Sequence, residues 1–458
     1  MSDATIAGVP TQRLRQLAER EARRFARARP RTRAALDKGA GAFVGRVPLH
    51  WMADWPTPFP IVVAEAQGAR LTDLDGIRID DFCLGDTGSL FGHAPAPVVA
   101  AIRRQARAGL TFMLPTEAAL TAGRLLTERF GDFRWQIATT ASDANRFALR
   151  VARAVTGRPK VLVFNGCYHG AVDDTFVTIG PDGRTINRPG LLGQVADLAQ
   201  LATCVEFNDF AAVAAALATG QIAAILTEPV LTNCAMVPPA PGFLDALRQM
   251  ATEAGALLII DETHTLASGP GGYARQHGLQ ADMLVVGKAV AGGMPTAVWG
   301  MTPDLAARYL AVNASRPSGH SGMGTTLSAN PMQFACLVAT LSQVMTDKAY
   351  AHMDKGAARL AAGLDDAIAR HGAPWHVARV GARVEFICAP GPLPNGAAAM
   401  AAHHPRLEAA LNLALVNRGC LIAPFHNMML VSPATTKGQI DRLIAAFAEV
   451  LRELFESR

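Results

Sequence analysis

From about residue 70 onward, short apolar runs alternate with stretches of helical period. "ARLTDLDGIRIDDF" (69–82) reads as two strands joined at Asp75-Gly76, a dipeptide that tolerates the backbone of a tight hairpin. "PAPVVAAIRRQARAGL" and "TEAALTAGRLLTERF" carry apolar residues at helical spacing. "KVLVFNG", "IAAILTEPV", "LLIIDET" and "MLVVGK" are runs of Val, Ile and Leu with no polar face, most of them separated by helical stretches such as 242–254. Strands apolar on both faces and set between helices predict an α/β fold whose mainly parallel sheet is flanked by helices. After about residue 340 come helix 349–371, a short strand at "ARVEFICA", helix 406–418 and an amphipathic helix 436–455, which predict a smaller α+β domain. The expected division is an N-terminal segment 1–70 packing with the small domain or across a partner subunit, a large domain 71–340 and a C-terminal small domain 341–458.

Composition adds limits. The 458 residues, 50% hydrophobic, bury a large core and suit two domains better than one. There is no apolar run of about 18 residues, the length a spanning helix needs, and no apolar leader at the N-terminus. The cysteines at 83, 167, 204, 234, 336, 388 and 420 are scattered, as expected of reduced thiols in a cytoplasm. The net charge of +5 has a local source in "RLRQLAEREARRFARARPRTR" (13–33). A nucleic-acid arm or a transit peptide would use such a stretch, but Leu14, Leu17, Ala18 and Phe25 form an apolar stripe, with Glu19 and Glu21 among the arginines. A solvated amphipathic helix is the preferred reading, so neither nucleic acid nor a membrane is expected as a partner.

In sheets of this kind, ligands bind beyond the carboxyl ends of the strands. "TEP", "DETH" and "GK" all sit there. Lys288 follows the apolar run Met283–Val286 and Gly287, with Gly292 and Gly293 close behind, glycines expected to clear space around an amine at the end of a core strand. A structural salt bridge to Asp261 or Glu262 is one use for it. A P-loop lacks its upstream glycines, "GHSGM" (319–323) misses the nucleophile-elbow pattern at its last residue, and no H-E-x-x-H is present. Schiff-base chemistry is the other use, because a desolvated amine loses proton affinity and attacks carbonyl groups. Asp261 closes the run "LLII", and a buried carboxylate there calls for a positive partner. A pyridinium nitrogen is one such partner, and lysine with aspartate is the pair that pyridoxal phosphate requires. "ATTASDANRFALRVARAVTG" (138–157) opens small and polar and becomes a helix, whose N-terminus suits an anion. Ser142 there serves equally as an N-cap, with Asp143 favouring the dipole.

Taken together, "TTASDANRFALRVARAVTGRPKVLVFNGCYHG", "LTEPV", "LLIIDETHT", "LVVGKAVAGGMPTAVWG" and "GTTLSANP" resemble class III aminotransferases of the pyridoxal-phosphate fold type I family. Within them the chain is most similar to the glutamate-1-semialdehyde aminomutase branch and related amine and β-amino-acid transaminases. The resemblance runs from about residue 60 to the C-terminus, including "TDLDG" and "NRGCLIAPFHNMMLVSP". It implies pyridoxal 5'-phosphate as cofactor, Lys288 as the Schiff-base lysine and Asp261 as the partner of the pyridine nitrogen. Ala141 and Ser142 fall on the phosphate turn, Tyr168 on the aromatic that stacks on the cofactor ring, and Glu228 near its phenolic oxygen. Thr326 matches a threonine that reaches the phosphate from the neighbouring subunit, so a homodimer with shared sites is implied. The phosphate turn is T-A-S-D-A instead of S-G-T-E-A, and Thr263 replaces the usual valine under the ring. His264 is unusual too, and a histidine satisfied by backbone is favoured there over a general base.

The expected activity is transfer of an amino group from an amine or a β- or ω-amino acid to an oxo acid such as pyruvate. The alternatives are an intramolecular aminomutase, a decarboxylase or racemase on the same fold, and a pyridoxal-phosphate-binding regulatory protein without turnover. A substrate carboxylate calls for arginine. Arg46 in "FVGRVPLHW", with Phe43, Leu49, His50 and Trp51 as pocket walls, is one candidate, and Arg383 in "VGARVEFICA" is the other. Each has a structural ion pair as its alternative role.

Overall fold

The structure, a computed structural model, describes residues 4–456. It divides into two compact units, one of residues 96–350 with 393–401 and one of the remaining three stretches. The expected boundaries near 70 and 340 therefore move to 95 and 350. The hairpin explains the first shift. Strands Arg70–Asp73 and Arg78–Asp81 do pair antiparallel around Gly76, whose φ is 84°. Arg78–Asp81 also pairs in parallel with Cys420–Leu421, which ties it to the C-terminal part of the chain. No local pattern announces that pairing.

The larger unit is built on a seven-stranded sheet. Its strands in chain order are β1 (Arg134–Ala138), β2 (Lys160–Phe164), β3 (Ala202–Val205), β4 (Ile222–Thr227), β5 (Leu257–Asp261), β6 (Met283–Val286) and β7 (Ala297–Met301). In space they run β3-β2-β4-β5-β6-β7-β1. All neighbours are parallel except those of β7, which pairs antiparallel with both β6 and β1. The four apolar runs are β2, β4, β5 and β6. Every residue of β4, β5 and β6 is buried, and each large aliphatic side chain so placed contributes about 1.5–3 kcal/mol. The parallel order brings the carboxyl ends of β2, β4, β5 and β6 side by side. Helix α1 (Ala141–Thr156) follows β1 directly and lays Ala144, Phe147, Ala148, Val151 and Ala152 against the core.

Residues 393–401 join this unit through contacts far apart in sequence. Asn208 Nδ2 donates to the Pro394 carbonyl at 2.9 Å, and Glu206 accepts from the Ala397 N–H at 3.2 Å.

In the smaller unit the final helix, Lys437–Phe455, buries Ile440, Leu443, Phe447, Val450, Leu451 and Leu454 at helical spacing, behind a capping box of Thr436 and Gln439. The arginine-rich stretch folds as helices Thr11–Ala28 and Pro30–Gly39, and the first packs against helix Pro405–Asn417. Leu14, Leu17 and Phe25 are buried as expected, but so is Glu21, held by Arg20 at 2.8 Å and Asn417 at 2.8 Å. Arg29 is buried too and pairs with Asp73 at 2.9 Å. Part of the basic stretch is thus structural rather than solvated. All seven cysteines are buried. Among the described residues no helix is long and apolar enough to cross a membrane.

Candidate active site

The end of β6 carries the chain through Gly287 into Lys288, where a short 3-10 turn begins. Lys288 has φ of 48°, the left-handed region that an L side chain enters at a cost of about 1–3 kcal/mol. Tight surroundings hold it there: a Cβ on Gly287 would stand 2.7 Å from the Ala141 Cβ and 3.4 Å from Thr263 Oγ1. Glycine at 287 lets the lysine turn press against the start of α1. Gly292 serves a different purpose from the one expected, since a Cβ there would meet Val98 Cγ2 at 2.6 Å and Thr340 Oγ1 at 2.9 Å. It gives room to packing elements rather than to the amine. Lys288 Nζ lies 2.9 Å from His264 Nε2. The ring of His264 thus meets the lysine through Nε2, a contact that its sequence neighbours did not announce, because the chain leaving β5 turns toward the end of β6.

Asp261 ends β5 and is buried. Its Oδ2 accepts from Asn145 Nδ2 at 2.9 Å and pairs with His169 Nδ1 at 3.0 Å, and its Oδ1 accepts from the Thr263 N–H at 3.1 Å. Burial alone would raise the carboxyl, but the hydrogen bond and charge of His169, then the Thr263 and Asn145 donors, outweigh it and hold the group down at about 2. Burial would likewise lower His169; the neighbouring Cys167 sulfur and the Asp261 carboxylate outweigh it and raise the imidazole to about 10. Asp261 is thus a fixed buried anion. His169 and Asn145 were not singled out from the sequence. Their signals are present: His169 adjoins Tyr168 in "GCYHG", and Asn145 lies one helical turn after Ser142.

The first turn of α1 is capped by Thr140, whose Oγ1 accepts from the Asp143 N–H at 3.1 Å. Ser142 is therefore not the N-cap. Its Oγ accepts from the Ala171 N–H at 2.9 Å, and any side chain on Gly170 would collide with it. Thr139 Oγ1 lies 3.0 Å from Ser328 Oγ, which lies 2.7 Å from Thr325 Oγ1. That chain of hydroxyls anchors the loop carrying Thr326, itself exposed, beside the helix start. Thr263 Oγ1 is buried with no hydrogen-bond partner among the described residues. Tyr168 is half-buried, its ring 6.2 Å from that of Phe176. Glu228, just past β4, is buried and held by the Thr232 hydroxyl and by Asn233 Nδ2 at 3.1 Å; burial pushes its carboxyl up.

These residues fit pyridoxal phosphate. A strained lysine, a buried carboxylate kept ionised, an orphaned threonine hydroxyl beside the lysine turn and a capped helix start next to it supply an amine, a counter-charge for a ring nitrogen and an anion site. The sequence model of the family described as "Aminotransferase class-III" matches residues 51–451. The chain belongs to the class-III aminotransferases. A relative from Roseiflexus castenholzii, described as glutamate-1-semialdehyde 2,1-aminomutase, is 34% identical over 400 residues, covering 86% of this class-III chain and 91% of the relative. A crystal structure of a glutamate-1-semialdehyde-aminomutase from Pseudomonas aeruginosa PAO1 superposes with a TM-score of 0.96 at 46% identity, covering 98% of this chain and 100% of that one. A lysine-to-alanine variant of that aminomutase in complex with PMP superposes equally, at 45% identity with the same coverage and a TM-score of 0.96. The fold of this class-III enzyme is accordingly fold type I.

The expected substrate residues lie in the smaller unit. Arg383 is corrected. Its guanidinium is buried on a central strand, 3.3 Å from His426 Nδ1 and 3.8 Å from Glu385, and those partners fix it as part of an internal cluster. Arg46 is 63% exposed and pairs with an equally exposed Asp37 at 3.0 Å. With Phe43, Val47, Met52, Trp55 and Ile61 it lines an apolar recess of about 500 Å³. Trp51 is 41% exposed, its ring 6.0 Å from Phe425 and 5.6 Å from His50.

Proposed function

We propose that this chain is a pyridoxal-phosphate-dependent aminomutase of the glutamate-1-semialdehyde type, which moves an amino group within one substrate molecule. The similarity to the Pseudomonas aeruginosa aminomutase, 46% identity across 98% of the chain, carries the reading. It displaces transfer to a separate oxo acid, the activity first expected. The cofactor supplies an electron sink next to the carbon that gains or loses the amine. Lys288 binds the cofactor through Nζ and afterwards moves a proton at the same nitrogen. Asp261 keeps the ring nitrogen charged, Ala141 and Ser142 receive the phosphate at the start of α1, and Tyr168, Thr263 and Glu228 border the ring. The active form in this reading is a homodimer in which Thr326 serves the partner's phosphate. Leu110, Phe112, Met113, Leu114, Leu120 and Leu327 are large apolar side chains left exposed on the larger unit, as an interface would need. Seven buried cysteines scattered along the chain suit a reducing cytoplasm.

The test is turnover of glutamate-1-semialdehyde with no oxo acid present. Rearrangement without an acceptor is expected. Conversion only when pyruvate or another oxo acid is added would return the reading to intermolecular transfer.

A further inference from the structure

We propose that His264 is the proton acceptor that frees Lys288 to capture the cofactor. The inference rests on Lys288 being the cofactor lysine and is independent of which amino transfer follows.

Two basic nitrogens 2.9 Å apart form one hydrogen bond, so one must offer a proton and the other a lone pair. Nζ and Nε2 both protonated at that distance in a part-buried site would repel, so the contact carries one proton in the gap. His264 is 5% exposed, at the turn that follows Asp261, and Lys288 is held at a strained backbone angle. Neither group owes its place to a flexible surface loop, and the geometry is preset before any ligand arrives.

A lysine ammonium has no lone pair and cannot attack an aldehyde. Proton transfer to Nε2 uncovers that lone pair. A C–N bond then forms at the aldehyde carbon, the C–O bond breaks and the oxygen leaves as water. The proton lent to His264 returns in that water, and the nitrogen keeps one of its hydrogens. Nothing is oxidised or reduced. The buried carboxylates near the lysine are suited to other work. Asp261 receives Asn145, His169 and Thr263, and Glu262 receives the N–H groups of Tyr273 and Ala274 and the Thr265 hydroxyl. A neutral imidazole is also the base whose ordinary affinity for protons matches neutral pH.

The experiment follows cofactor uptake rather than turnover. Full-length protein is stripped of cofactor, pyridoxal 5'-phosphate is added, and the growth of the protein-bound absorbance band is timed in wild type, His264→Phe and His264→Gln. Glutamine can hold Nζ through its amide oxygen but takes no proton. Both variants should take up the cofactor on the order of a hundredfold more slowly, the scale of a lost general base. Added imidazole should restore part of the rate in His264→Ala. Wild-type uptake in either His264→Phe or His264→Gln overturns the proposal; in the glutamine case the histidine only holds the lysine in place. Should His264→Phe fail to fold, His264→Gln, closer in size and polarity, carries the test alone. Lys288→Ala separates the two layers of the argument, because the same band in that variant would refute the assignment of Lys288 itself.

Discussion

His169 Nδ1 stands 3.0 Å from Asp261 Oδ2, and both side chains are buried beyond the carboxyl ends of the strands, His169 after β2 and Asp261 at the end of β5, with β4 between those strands. Together with Asn145 the histidine fills one carboxylate oxygen, while the other receives a single N–H from Thr263. The anion is locked in orientation before a ring nitrogen meets it.

The pair should shape stability as a function of pH in cofactor-free protein. Asp261 is lowered from 3.8 to about 2, so its contribution is present above 3.8 and lost as pH falls through 2. His169 is raised from 6.5 to about 10, so its contribution is complete below 6.5 and lost as pH rises through 10. The His169–Asp261 contact is common to both shifts, beside Cys167 on the histidine and Thr263 and Asn145 on the carboxylate, and it is worth about 2 kcal/mol and fullest between these limits. Unfolding by urea at a series of pH values should show the gap between wild type and His169→Gln widest near pH 5 to 6 and narrowing on either side. A gap independent of pH would refute the assignment.

Gly287→Ala tests the cradle. The added methyl would need the space 2.7 Å from the Ala141 Cβ, a short side chain fixed on α1 that cannot swing aside. Overpacking of this kind costs about 1–3 kcal/mol. Because the clash separates the lysine turn from the phosphate turn, cofactor affinity measured by equilibrium dialysis should weaken about tenfold or more. Retention at the wild-type level would show that the two turns need not touch.

The two arginines should behave in opposite ways. Arg383 lies in an internal cluster with His426 and Glu385, and Arg383→Ala leaves Glu385 buried with less compensation. A loss of about 3–5 kcal/mol follows, read as a lower thermal midpoint. Arg46→Ala removes only an exposed pair with Asp37 and should stay within about 1 kcal/mol of wild type. Equal stability of the two variants would contradict this contrast.

Thr326 is exposed, on a loop fixed to Thr139 through Ser328. If a partner subunit's phosphate site uses it, Thr326→Ala should weaken cofactor retention by about 1–3 kcal/mol without altering the fold. Leu114→Glu with Leu120→Glu should lower both the mass seen by light scattering and the retention of cofactor, since charge at an apolar interface opposes assembly. A cofactor-saturated, active monomer would defeat the shared-site reading.

Much of this was legible in the chain itself. β2, β4, β5 and β6 announced themselves because a parallel strand buried on both faces must be apolar throughout. Asp261 and Lys288 stood out because a charged group at the end of such a strand needs a chemical reason. β1, β3 and β7 did not stand out. Arg134–Ala138 mixes polar and apolar residues, and β7 runs against its neighbours, an orientation that no residue within it encodes. The tertiary structure alone decided the company each residue keeps. It joined His169 and Asn145 to Asp261 across 92 and 116 positions, turned His264 toward Lys288, and enclosed Arg383 beside Glu385 and His426. Local sequence fixes the period and polarity of an element, because these follow from backbone geometry. Which hydrogen-bond partner a buried polar group meets depends on strand order and on the close approaches that glycines such as Gly287 and Gly170 permit, and those arise only when distant segments pack.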